Sequence, residues 1–164
     1  MGCLIAAPVA AGPLTYDCDT APEHFSELTQ PLPAGPVTIS GVLTARVMAT
    51  SKTWASTGHV GLVSADGADY AQIEVTGVAK ISKTVLLATL TVSRGGTKEE
   101  IELGPVTLMQ ALPFSLTWDP AGKLSVSLAG WQREVLLRPG TLTTAKATCS
   151  TGEFLFEKLE LGAK

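Results

Sequence analysis

Few residues in this chain are equipped for chemistry. It carries two histidines, three cysteines and fifteen carboxylates, and no asparagine at all. His24 and His59 are far apart in sequence, and no Gly-x-Ser-x-Gly elbow is present for either to serve. His59 lies beside Gly58 in STGHVGLVS and reads as a surface or strand-edge residue. Two carboxylate pairs stand at i, i+2, namely Asp17/Asp19 and Glu100/Glu102. Alternate residues of a strand share one face, so either pair would present two carboxyls together. Glycosidic cleavage needs such a pair about 5 Å apart for retention, or about 6.5–9.5 Å apart for inversion. Glu100 and Glu102 alternate with Ile101 and Leu103 just after a Gly-Gly turn, the pattern of a solvated strand face. Asp17 and Asp19 bracket Cys18 and face outward if Cys18 faces inward. No catalytic residue is assigned.

Metal chemistry has no better footing. Asp66-Gly67-Ala68-Asp69 offers two carboxylates on a glycine turn, but a hard cation takes about six to eight oxygens. The fragment reads as a hairpin turn shaped by its Asp residues. Cys3, Cys18 and Cys149 fit no zinc spacing, and none sits beside a group that would activate a thiolate. No metal and no cofactor is expected. Aromatic platforms remain. Of nine aromatic residues, Phe114, Trp118, Phe154 and Phe156 fall on alternating strand faces and read as core. Trp54, in SKTWASTG, and Trp131, just past Gly130, fall at loops, while Tyr70 opens a strand. A loop tryptophan offers a flat apolar face with one hydrogen-bond donor. Trp54, Tyr70 and Trp131 are therefore the candidate ligand-binding residues.

These side chains must be positioned by strands. In Phe114-Ser115-Leu116-Thr117-Trp118 the two faces separate cleanly, and Leu124-Ser125-Val126-Ser127-Leu128 repeats the pattern across Asp119-Pro120-Ala121-Gly122. A second hairpin runs from Leu86 to Leu103 around Arg94-Gly95-Gly96-Thr97. Further strands are expected at 37–49, 58–65, 69–76, 133–138 and 152–161. Pro22 to Leu28 is the one stretch suited to a short helical turn, with Pro near its start and Pro31 beyond. Turn signals at this frequency indicate an all-β sandwich or barrel.

The 164 residues suit one domain with a sizeable core, and 45% of them are hydrophobic. Twelve basic against fifteen acidic residues give a net charge of −3 without blocks, which excludes the basic stripe of a nucleic-acid binder. Residues 1–11, with most of the apolar run LIAAPVAAG from Leu4 to Gly12, read as a signal remnant or an apolar arm preceding a single β-domain at 12–164. The run is too short to span a membrane. Removing it with Cys3 would leave an even pair of cysteines, as suits an oxidising compartment; the alternative is three inert thiols.

The stretch PFSLTWDPAGKLSVSLAG resembles the late hairpin of concanavalin A-like lectin/glucanase domains, with an aromatic-rich strand, an Asp-Gly turn and a strand ending in Gly. GHVGLVSADGADYAQIEV is similar to their mid-chain hairpin, and GEFLFEKLELG to their closing strand. The resemblance implies an antiparallel jelly-roll β-sandwich of two sheets whose last strand returns beside the first. That pairing would bring Cys18 and Cys149 close enough for a disulfide. The glucanases of this superfamily carry Glu-x-Asp-x-Glu, which this sequence lacks, and Gln72-Ile73-Glu74 has Glu where the alginate-lyase branch has His, so no catalytic residue carries over. The expected function is a secreted or periplasmic, non-catalytic carbohydrate-binding module with a glycan partner. The alternatives are a structural or adhesion-type domain and a polysaccharide-active enzyme.

Overall fold

The computed structural model describes residues 12–78 and 82–163. The apolar segment 1–11 and Cys3 lie outside the described residues. Ten strands follow in order: β1 (Leu14–Pro31), β2 (Val37–Met48), β3 (Thr57–Ser64), β4 (Tyr70–Gly77), β5 (Val85–Arg94), β6 (Thr97–Thr107), β7 (Leu112–Asp119), β8 (Lys123–Leu128), β9 (Trp131–Leu136) and β10 (Leu142–Ala163). Every pairing is antiparallel. Among the described residues no helix is long and apolar enough to cross a membrane.

Two long strands turn this ladder into a sandwich. The first part of β10, Leu142 to Ser150, pairs with β3, and the second, Gly152 onward, pairs with β2. Strand β1 mirrors it: Phe25–Pro31 lies along the first part of β10 and Leu14–Thr20 along the second. One sheet therefore runs β6-β5-β4-β3-β10-β1 and the other β9-β8-β7-β2-β10-β1, sharing the two strands that cross between them. The crossing is made by residues with special backbone. Glu23, Thr151 and Gly152 have φ of 65°, 53° and 152°. A Cβ on Gly152 would stand 2.4 Å from the Val47 carbonyl oxygen, so only glycine lets β2 approach here. The Glu23 N–H donates to Thr151 Oγ1 at 3.1 Å, and Ser56 Oγ donates to the Thr151 carbonyl.

The stretch Pro22 to Leu28, read from sequence as a short helical turn, is instead part of β1. Seven residues form few internal helical bonds, whereas the extended chain pairs its backbone with Ser150 to Ala147. The alternating hairpins are as expected: Phe114, Leu116, Trp118, Leu124, Val126 and Leu128 are all buried. They meet Val60, Leu62, Ile73, Leu86 and Leu90 of the other sheet in one core.

Two cross-links fasten the layers. Cys18, on the part of β1 that belongs to the second sheet, is disulfide-bonded to Cys149, on the part of β10 that belongs to the first. Their Cα atoms are 6.1 Å apart, and both residues are buried. At the other side, buried Asp69 accepts from Arg138 Nε at 2.9 Å and from its Nη2, and from the Gly95 N–H at 3.0 Å. The Arg138 guanidinium holds the Asp69 carboxyl below the usual carboxylate range. Asp66 accepts from Ser64 Oγ at 2.6 Å and the Ala68 N–H at 3.0 Å. Both carboxylates thus shape the turn, and Asp69 ties it to the loop after β9.

Candidate functional site

The outer face of the β6–β1 sheet forms a grid, because six neighbouring strands place matched residues side by side. One row reads Phe25, Ser150, Thr57, Thr76. The next reads Glu27, Thr148, His59, Glu74, Thr89, Glu102. A third reads Thr29, Lys146, Gly61, Gln72, Thr91, Glu100, and a fourth contains Thr144, Val63, Tyr70 and Ser93. A groove of about 390 Å³ opens over the first three rows, lined by Phe25, Trp54, Thr57, His59, Gln72, Glu74, Thr148 and Ser150. Gly61 is required in the third row: a Cβ there would meet Gln72 Cβ at 2.6 Å and the Ala71 carbonyl oxygen at 2.3 Å.

Two aromatics mark one end. Phe25 is 64% exposed and Trp54 43% exposed, against 2% for the core residue Trp118. The Trp54 loop is held in place by its own polar contacts. Ser51 Oγ and Thr53 Oγ1 donate to Glu23 Oε1 at 3.1 and 2.9 Å, and Ser51 Oγ accepts from the N–H groups of Thr53 and Trp54. Glu23 thus links the β1 kink to the loop that presents Trp54, and an anchored loop loses less freedom on binding.

The polar floor has a definite charge pattern. Glu74 accepts from Thr76 Oγ1 at 2.8 Å and from Gln72 Nε2 at 3.3 Å. Lys146 is paired with Glu27 at 2.7 Å, and Thr148 Oγ1 donates to the same carboxylate at 3.4 Å. His59 is half-buried directly opposite Glu74. Burial pushes its pKa down; Glu74 and Glu27 pull it back up, and Lys146 pushes it further down. Desolvation is the largest of these effects, so the imidazole is neutral near pH 7, with one donor and one acceptor nitrogen.

This has a consequence for stability. A histidine that protonates less readily folded than unfolded favours the native state while both forms are neutral. Stability is then lost as pH falls through the unfolded value of about 6.5 toward the lower folded value. The melting temperature is expected to fall between about pH 7 and about pH 5, and His59→Gln is expected to flatten that slope. Thermal unfolding followed across this range checks it, and parallel wild-type and variant curves would remove His59 as the cause.

No protein-family model and no curated protein matches the chain. Solved structures do. The alginate lyase AlyC3, in complex with dimannuronate, superposes with a TM-score of 0.65 at 14% identity, covering 93% of this chain and 76% of that one. The carbohydrate-binding module CBM66 from Bacillus subtilis gives 0.56 at 9% identity, over 85% and 82%. A β-glucanase from Bacillus licheniformis gives 0.55 at 10% identity, over 92% and 78%. The chain has a concanavalin A-like jelly-roll fold. At these identities the likeness is one of fold, and the site must be read from this jelly roll's own residues.

The jelly roll brings two of the three sequence candidates to one face. Trp54 lines the groove, and Tyr70 stands on the same face, two residues along β4 from Gln72. Trp131 lies apart. It begins β9 at the edge of the other sheet, its ring near Gly104 of β6 and 5.6 Å from the Arg133 guanidinium carbon. Sequence reasoning passed over His59, Glu74 and Phe25. Two of these had a signal: alternation through the 57–77 hairpin puts His59 opposite Glu74 on the polar side. Phe25 had none, because its exposure depends on where β1 crosses between layers.

Proposed function

We propose that this jelly roll is an extracytoplasmic glycan-binding module that uses the groove on the outer face of the β6–β1 sheet. The observation that carries the reading is the pairing of two exposed aromatics with a polar floor. Phe25 and Trp54 stand where no core needs them, beside a neutral imidazole, an amide, a carboxylate and three hydroxyls. Sugars present just such a mixture, with apolar C–H faces that lie on aromatic rings and a rim of hydroxyls that both donate and accept. A few placed polar groups in a partly apolar concavity are the usual composition of a small-molecule site.

Hydrolysis is less well served. Along the His59 row, Glu27 and Glu74 are three strands apart, about 14 Å at the usual strand spacing, and Glu74 and Glu102 are two apart, about 10 Å. The first lies well beyond the roughly 6.5–9.5 Å that an inverting pair spans, and Glu102 of the second does not line the groove. The buried disulfide supports an oxidising compartment, hence a secreted or periplasmic place of work.

Screening on a glycan array, then calorimetry on a hit, tests the proposal. Trp54→Ala is expected to weaken binding at least about tenfold, as truncating an aromatic anchor does, while leaving circular dichroism unchanged. If no glycan binds, or if Trp54→Ala and Phe25→Ala both bind like wild type, the groove is not a sugar site. Release of reducing ends during the screen would instead point to an enzyme.

A further inference from the structure

Resting on the glycan-binding reading, we infer that the groove selects an uncharged glycan and rejects polyuronates, with Glu74 as the residue that decides. The inference comes from where the charges of this face are spent. Its described cations are Lys146 and Lys98, and each is already neutralised, by Glu27 at 2.7 Å and by Glu100 at 2.5 Å. Lys52, on the Trp54 loop, and Lys83, on the loop between β4 and β5, do not line the groove. All four arginines lie elsewhere. Arg46 pairs with Asp17, Arg94 with Glu99 and Arg138 with Asp69, while Arg133 sits by Trp131.

Glu74 stands in the groove without an ion-pair partner among the described residues; Lys98 feels its charge but is held by Glu100. Its two oxygens are oriented by Gln72 and Thr76. An ionised carboxylate has about four acceptor sites and no donor, so the lone pairs left over call for hydroxyl hydrogens. Two neighbouring sugar hydroxyls supply them, and bonds to a charged acceptor are the strong ones. His59, Gln72, Thr148 and Ser150 can then accept from or donate to the remaining hydroxyls.

A uronate meets the opposite situation. Each residue of such a polymer brings its own carboxylate, for which a forked arginine or a free lysine is the matching partner. Among its described residues this groove offers neither, and it places Glu74 in the way. Like charges at close approach raise the cost of binding, and a polyanion repeats that cost along its length.

Affinity electrophoresis in low-salt gels tests this, since repulsion is least screened there. The gels contain a β-glucan, a galactan, a fructan, a xylan, alginate or polygalacturonate. Wild type is expected to be retarded by at least one neutral polymer and to run freely through both polyuronates. Glu74→Gln, which keeps the side-chain shape, is expected to weaken the neutral interaction about tenfold, consistent with loss of a charged acceptor. Glu74→Lys is expected to abolish it and to introduce retardation by a polyuronate. Retardation of wild type by alginate or polygalacturonate that disappears in Trp54→Ala would overturn the neutral-ligand inference while leaving glycan binding intact. Wild-type affinity for the neutral polymer in folded Glu74→Gln would remove Glu74 from its role. Free passage through all six gels would remove the glycan-binding reading, and this inference with it.

Discussion

Replacing both Cys18 and Cys149 by alanine is expected to cost about 5 kcal/mol of stability. The bridge joins residues separated by 131 positions, and in the chain-entropy model closing a loop of that length removes about 5 kcal/mol worth of freedom from the unfolded chain. Few domains exceed a total of about 15 kcal/mol, and many have about 5, so the loss is a large part of what holds this fold. The position of the bridge strengthens the expectation. Cys18 and Cys149 flank the crossing at Thr20 and Thr151, where β1 and β10 pass from one sheet to the other. Without the bridge, that crossing relies on hydrogen bonds such as Glu23 N–H to Thr151 Oγ1 and Thr20 Oγ1 to the Gly152 carbonyl. Both cysteines are at most 1% exposed, so reductant is expected to act only after the chain opens. Urea unfolding of the double-alanine variant, set against oxidised wild type, measures the effect. A difference below about 1 kcal/mol would show that the unfolded chain is already confined by other structure.

How much of this was legible in the sequence differs from strand to strand. The hairpins at 85–107 and 112–128 were legible because large apolar side chains alternate with Thr, Ser and Glu around glycine turns. The first part of β10 was not. Its inward residues Ala145, Ala147 and Cys149 do alternate with Lys146 and Thr148, but they are small, and alanine and lysine are both depleted in strands, so the stretch does not stand out as one. They are small at a place where the disulfide, rather than side-chain bulk, joins the layers. The middle of β1 was read as a helical turn for a related reason. It is an edge strand whose residues from Ala21 to Phe25 are all exposed, so no alternation marks it.

The site divides along the same line. His59 and Glu74 belong to a hairpin whose turn and parity were plain, and their juxtaposition is a local fact. Phe25 reaches the groove only because β1 follows β10 across the sandwich, a pairing across more than a hundred residues. Trp54 was identified as a loop aromatic from its neighbours in SKTWASTG, but its anchoring through Glu23 depends on that same long-range pairing. Local pattern therefore carried a signal for the floor of the groove that sequence reasoning left unused, and only chain topology supplies its wall.

Trp118 and Trp131 make the sharpest contrast, and their alanine variants are expected to differ by several kcal/mol. Trp118 is 2% exposed between β2 and β8, matched to Val37 on one side and Leu124 on the other. Truncating a tryptophan in such a place removes its burial and leaves a cavity that neighbouring strands cannot close, at a cost of about 3–5 kcal/mol. Trp131 is 47% exposed at the start of an edge strand. Its contacts are the open backbone at Gly104 and the Arg133 guanidinium, and an exposed cation–π pair contributes about 0.5–1 kcal/mol. Trp131→Ala is thus expected to cost about 1 kcal/mol, visible as a small shift in urea midpoint with unchanged slope. The two variants also separate stability from recognition. Trp131 stands at the edge of the sheet opposite the groove, so Trp131→Ala is expected to keep the glycan affinity that Trp54→Ala loses. If Trp131→Ala unfolds as readily as Trp118→Ala, its ring over Gly104 closes the edge between β9 and β6 and belongs to the core. If it folds but loses the glycan, the binding surface lies on the β9 side, and the groove beside His59 is the wrong face.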